Sequence, residues 1–173
     1  MDRLYKSMRL HKLNGNDMDI RAANESEINH LASLWYNGWQ DAHAKILPVE
    51  LARHRTLDSF RQRLQAIWPE VRVAGPIGEP VGLCLVKDDE LNQLYVDTAA
   101  RGTGIAARLL ADGEDQIRAR GVKTAWLACA IGNKRAAKFY EKNGWHYAGN
   151  VVIHLEIPGG MFPLEVWRYE KNL

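Results

Sequence analysis

The chain has 173 residues, enough for one well-buried domain and too few for two of ordinary size. An apolar fraction of 46% and a charged fraction of 25% exclude a disordered or fibrous chain. A net charge of +2 is too small to gather nucleic acid by bulk electrostatics, and no run of about 18 apolar residues could span a membrane, so neither is an expected partner.

Residues 1–17 are polar and aperiodic and read as a flexible leader before a single domain at residues 18–173. Residues 18–23 form a short first strand. Asn24, with Glu27 three residues on, resembles a capping box and opens a helix to about Asp41. Its Ile28, Leu31, Leu34, Trp35 and Trp39 share one apolar face, and Tyr36 and Trp39 are candidate walls of an acceptor pocket. A second helical region covers residues 48–68, broken near Thr56, which can cap its second half. Val71 with Val73, and then residues 81–86, form two strands around the glycine- and proline-punctuated turn at residues 75–80. The acidic turn Asp88-Asp89 leads to a third strand at residues 90–96, so three adjacent strands form an antiparallel meander. Cys84 lies in this block and Cys129 in a later strand. Both read as buried free thiols of a reducing compartment, and no Cys/His spacing suggests a metal.

Leu94, Tyr95 and Val96 end the third strand, and Gly102 and Gly104 follow where the chain turns into a helix. That helix runs from about residue 104 to 120 and stops at Gly121. A glycine-rich turn at a helix start presents unpaired N–H groups at the positive end of the helix dipole, which is a phosphate-binding geometry. The spacing fits neither a Walker A loop nor a dinucleotide fingerprint. Residues 124–130 form an apolar strand, and its helical crossover implies local parallel pairing. A helix at residues 133–142 is closed by Asn143-Gly144. Strands at residues 145–157 and 165–171 flank a loop at residues 158–163, where Met161 and Phe162 could line a cleft. The expected fold class is α+β: a mixed, mostly antiparallel sheet of about six to seven strands, with helices on both faces and one parallel βαβ element.

Arg101-Gly102-Thr103-Gly104-Ile105-Ala106 resembles the Arg/Gln-x-x-Gly-x-Gly/Ala signature of the GCN5-related N-acetyltransferases (GNAT family). Residues 133–145, from Asn133 through Ala136, Phe139, Tyr140, Glu141 and Gly144 to Trp145, resemble the N-x-x-A-x-x-F-Y-E-x-x-G-F segment of the same family, with Trp145 in place of Phe. The resemblance covers the chain from about Met18 onward. It implies the GNAT fold and acetyl-CoA as the acetyl-donor cosubstrate, and the lack of any Cys/His ligand spacing leaves no metal expected. It sets Leu94, Tyr95 and Val96 along the pantetheine arm, and Arg101, Gly102, Thr103, Gly104, Ile105 and Ala106 around the pyrophosphate. Asn133 and Ala136 stand beside the coenzyme on the later helix.

The implied reaction is attack of a primary amine on a thioester, directly in a ternary complex. An alkyl ammonium has a pKa near ~10.4, so its deprotonation at neutral pH costs about 4–5 kcal/mol and calls for a base or a water chain. A backbone N–H beside Val96 could meet the oxyanion. Asn133, Ala136 and Tyr140 fall at i, i+3 and i+7 on one helix face, and the resemblance makes Tyr140 the general acid. Otherwise Tyr140 is a core tyrosine beside Phe139. Glu90 lies eleven residues before Arg101, the offset at which some family members place a catalytic glutamate. It is the candidate base; the alternatives are a solvated acidic turn and ordered water. His43 and His54 lie near the implied acceptor border. The acceptor is a small-molecule or peptide amine. The terminal strands can pair across a homodimer, and with no signal-peptide core the expected location is cytoplasmic. The alternative function is a non-catalytic acyl-CoA-binding sensor or partner-binding module on the same fold.

Overall fold

The computed structural model describes residues 19–173. The expected leader at residues 1–17, and Met18 at the start of the first strand, lie outside the described residues.

Among the described residues seven strands form one mixed sheet. β1 (Ile20–Ala22), β2 (Arg72–Ala74), β3 (Gly82–Lys87) and β4 (Glu90–Val96) make the antiparallel meander. β5 (Thr124–Ala130) joins β4 in parallel. The last two strands, β6 (His146–Ile157) and β7 (Gly160–Asn172), form a long hairpin that inserts β7 beside β5 and leaves β6 at the edge. The order is β1-β2-β3-β4-β5-β7-β6.

Helices cover both faces. On one side α1 (Ile28–His43), α2 (Val49–Ala52) and α3 (Leu57–Ile67) follow the first strand. Leu31, Trp35, Phe60 and Leu64 of this layer pack on Val73, Leu83 and Leu85. On the other side α4 (Ile105–Ala119) packs Ile105, Leu109 and Ile117 on Cys84, Val86 and Leu91, and α5 (Lys134–Lys142) adds Ala137. Leu83 and Leu85 thus serve one core while Cys84 and Val86 serve the other. This is the period-two alternation of a central strand buried on both faces.

The capping box at Asn24 is formed: Asn24 Oδ1 accepts from the Ser26 amide at 3.0 Å, and Glu27 Oε2 accepts from the Asn24 amide at 2.7 Å. Thr56 caps α3 by accepting from the Ser59 amide at 3.2 Å. One sequence expectation is corrected. The loop at residues 158–163 is only a turn at Pro158 and Gly159, and β7 already begins at Gly160, paired with Ile157. Gly159, at φ +87°, allows this shortest of hairpin connections. Pro163 does not end the strand. The pairing of β7 with β5 stops at Val166, so beyond it a residue without an N–H fits on the open side. Met161 and Phe162 accordingly sit on a regular hairpin.

Trp145, where the family segment has Phe, is explained by its indole. Its Nε1 donates to Glu114 Oε1 at 2.9 Å, deep between α4 and the turn after α5. Lys171 Nζ donates to both Glu114 oxygens, at 2.9 and 2.8 Å, and to the Asn143 carbonyl at 2.9 Å. One buried carboxylate thereby fixes α4, the end of α5 and β7 together. Lys171→Met should lower stability to urea by about 1–3 kcal/mol, since it leaves the Glu114 charge without its cation. Unchanged stability would show that this knot does not hold the two helices.

Candidate active site

The site begins where the sheet opens. β4 and β5 share a single bridge, Glu90 with Trp126, supported by a 3.1 Å hydrogen bond from the Trp126 amide to the Asp89 carbonyl. Past it the two strands part around a cavity of about 600 Å³. β4 also bulges there: Leu85 faces Gln93 and Val86 faces Leu91, so Asn92 has no partner on β3. On its other edge β4 keeps its ladder. The Asp97 amide donates to the Val81 carbonyl at 2.8 Å, and Tyr95 pairs with Leu83 in the same phase. Since alternate residues of a strand bond to opposite sides, the backbone groups of Leu94 and Val96 point into the gap.

The gap leads to the start of α4. The turn before α1, α3 and α5 each have a side-chain cap, but α4 has none: its cap position is Gly104, at φ +84°. Gly102 is likewise left-handed, at φ +79°. A Cβ at either glycine would meet nothing within 4 Å, so conformation demands glycine here and the space above the turn is open. With no acidic residue in its first turn, α4 leaves its leading amides and dipole to an anion.

Most of the residues singled out from the sequence meet at this cavity. Leu94, Tyr95, Val96, Arg101, Gly102, Gly104, Ala106, Asn133, Ala136 and Tyr140 line it. Three do not. The Ile105 side chain is buried in the core under α4, the Thr103 hydroxyl donates to the Ala100 carbonyl at 2.6 Å, and Glu90 sits at the closed end below the splay. Burial is the largest influence on the Glu90 carboxyl and raises its pKa; a hydrogen bond from Asn92 and the Lys87 charge act the other way. Asn133 caps α5, accepting from the Ala136 amide at 3.2 Å, which turns the Asn133, Ala136 and Tyr140 face toward the gap. The Tyr140 ring packs among Phe139, Trp145 and Tyr169, with centroids 5.4, 6.3 and 6.3 Å away. Burial pushes its hydroxyl pKa well above the usual phenol, so it stays protonated. The Cys129 thiol, also on the wall, is pushed by burial up to about 11.

Sequence reasoning missed the part supplied by the end of α1. Asp41 Oδ2 accepts from Arg101 Nη2 at 2.7 Å and from Arg135 Nη2 at 2.9 Å, so one carboxylate joins the glycine turn to α5 across the cavity mouth. The hydrogen bonds from Arg135 and Arg101 hold its pKa below the ordinary value. His43 lines the cavity with a buried Nδ1, and its ring packs on Trp39. Burial, with a smaller push from the Arg135 charge, lowers its pKa to about 4, and a hydrogen bond with the Trp39 backbone opposes that lowering. Trp39 is core instead of pocket wall, buried against Phe60 and the His43 ring. No periodicity separates His43 from a surface histidine, because its position depends on contacts distant in sequence.

The chain is an α+β sheet that splays between two parallel strands, with an uncapped glycine turn at its rim. The chain belongs to the acetyltransferase (GNAT) family, whose model matches residues 29–145. A probable N-acetyltransferase of Mycobacterium tuberculosis is 24% identical over 170 residues, spanning 91% of this chain and 96% of that protein. A GCN5-related N-acetyltransferase of Rhodopseudomonas palustris superposes with a TM-score of 0.70 at 20% identity, covering 90% of this chain and 96% of the other. PaiA N-acetyltransferase of Thermoplasma acidophilum, solved in complex with coenzyme A, superposes with a TM-score of 0.63 at 18% identity, covering 90% and 99%. At these identities the structural likenesses establish the fold.

A lowered histidine pKa means that the unfolded chain takes up the proton first. The contribution of neutral His43 to stability is present in full above pH 6.5 and is lost as the pH falls toward 4, about 3 kcal/mol at most. The NMR titration of its imidazole should therefore show no charge change between pH 5 and 8. A midpoint near 6.5 would contradict its placement in a buried wall.

Proposed function

We propose that this protein transfers the acetyl group of acetyl-CoA to a primary amine by direct attack in a ternary complex. The observation that carries the proposal is the continuity of the cavity: backbone groups of Leu94 and Val96 face a gap that ends at the uncapped start of α4. The pantetheine arm carries amides of its own and can lie along β4 as a short extra strand. The pyrophosphate then meets the main-chain amides of residues 101–106, with Thr103 and Ile105 taking part through backbone only and the Arg101 guanidinium beside them. The coenzyme A of the Thermoplasma neighbour supports this choice of ligand.

The arm leads away from its phosphates, so the thioester lies deeper than the phosphate end of β4. The Leu94 amide, next to the bulge at Asn92, is better placed than that of Val96 to hold the developing oxyanion, and Val96 binds the arm. The amine nitrogen forms the new bond to the carbonyl carbon, and the carbon–sulfur bond breaks. Tyr140, held protonated by burial, donates its proton to the leaving thiolate, and the second proton that the nitrogen sheds on becoming an amide restores the phenol. Glu90 lies outside the cavity lining and serves as base through water, accepting the ammonium proton at the closed end of the splay.

Thiol release from acetyl-CoA, followed over a panel of primary amines, tests the reading; coenzyme binding without turnover on any amine would overturn transfer in favour of a sensor. Tyr140→Phe should lower kcat by about 10- to 100-fold and leave coenzyme affinity within about twofold. Undiminished kcat would remove Tyr140 from the acid role.

A further inference from the structure

Two arginines beside the hairpin tip take no part in the transfer described above. Three charged residues are buried among the described residues: Glu27, Arg55 and Glu114. Glu27 is paired with Arg21, at 2.6 and 2.9 Å, and Glu114 with Lys171. Arg55, in the turn between α2 and α3 and only 4% exposed, has no such partner. Among the described residues its one hydrogen bond runs from Nη1 to the Glu156 carbonyl at 3.2 Å. Arg63, on α3, donates from Nη2 to the same carbonyl at 2.9 Å. Two cations therefore converge on one neutral oxygen, while a guanidinium offers five N–H donors in a fork matched to a carboxylate.

The electrostatics agree with that geometry. Burial, and then repulsion from Arg63, lower the Arg55 pKa to about 10. Burial also lowers that of Arg63, with the Glu156 charge acting against it. One positive charge remains in surplus even when Glu156 is counted. A buried cation without an anion costs stability, and an arriving carboxylate would recover that cost. The pair is also near the reaction cleft. The Arg55 charge acts on Tyr95, whose ring lines the cavity and lies 6.4 Å from that of His43.

We propose that Arg55 and Arg63 form a carboxylate subsite for the acceptor, so that the acetylated amine belongs to a small molecule that also carries a carboxylate, an amino acid by chemical class. The inference rests on the acetyltransferase reading and sharpens it. The carboxylate takes charge-assisted bonds from the two forks, and the amino group of the same molecule turns toward the thioester beside Tyr140. The Glu156 carbonyl orients the forks when the subsite is empty.

The test pairs each of a set of amino acids with its carboxamide, which differs in charge and hardly in shape. Thiol release should favour the acid of the best pair by about 10- to 100-fold in kcat/KM, mainly through KM. Arg55→Met and Arg63→Met should each bring that ratio close to one through a raised KM for the acid. Arg55→Lys, which keeps charge without the fork, should retain part of it. Should Arg55→Met not fold, Arg63→Met carries the same readout. Calorimetric binding of acid and amide to the protein loaded with coenzyme A gives the ratio without turnover. Preferential binding of the acid with no turnover on any amine would support the subsite and sink the transfer reading. Equal use or equal binding of acid and amide, or variants that weaken both alike, would overturn the subsite and leave Arg55 as a clip between α2, α3 and the hairpin.

Discussion

The separation of β4 from β5 is the constraint on which the site depends. A sheet that opens in its middle exposes backbone groups that pairing would normally satisfy, and such a gap persists only if both lips are held from behind. β4 is held by the ladder to β3 and β5 by the ladder to β7, which runs from Thr124–Asn172 to Ala130–Val166. The closed end is fixed by Trp126: its amide and indole Nε1 bond to Asp89, at 3.1 and 3.0 Å, and the Arg168 guanidinium stacks 4.4 Å from its ring centroid. The helices that flank the gap, α4 and α5, are clamped to each other through Glu114 and Lys171, which pairs with Ala125 beside the closed end. The gap is therefore a built feature, and its unused hydrogen-bonding capacity is a binding capacity.

Charge is distributed along this gap in a consistent way. Inside, burial keeps Tyr140 and Cys129 protonated and His43 unprotonated, so all three are neutral near pH 7. Such a lining suits an uncharged thioester arm. At the mouth stand Arg101 and Arg135, sharing Asp41. Exposed ion pairs of this kind contribute little to stability, so an incoming phosphate can take up either arginine at small cost.

Much of this was legible in the sequence because it is local. β4 and β5 begin and end where their β-forming runs do, and Thr56, Asn24 and Asn133 cap helices as their chemistry suggests. The glycine turn was readable because left-handed backbone and an absent Cβ are properties of single residues. The hairpin at Pro158 was misread because proline and glycine mark both long loops and two-residue turns, and only the pairing of β6 with β7 decides between them. Asp41 and the Arg55–Arg63 pair were invisible for a different reason. Their partners lie 60 to 101 residues away for Arg101 and Glu156, and no periodicity encodes such distances. Glu90 was found by offset, yet its side chain lies below the cavity instead of in it, because offset along a strand fixes a level in the sheet and not access to the gap.

The most direct measurement is residue-resolved amide hydrogen exchange with and without saturating acetyl-CoA, whose thioester carbonyl should reach Leu94 while its arm reaches Val96. Leu94 and Val96, whose amides face the gap, should exchange much more slowly in the complex. Tyr95, already bonded toward β3, should change little. Coenzyme binding that leaves Leu94 and Val96 exchanging as in the free protein would contradict a splay that holds the coenzyme arm.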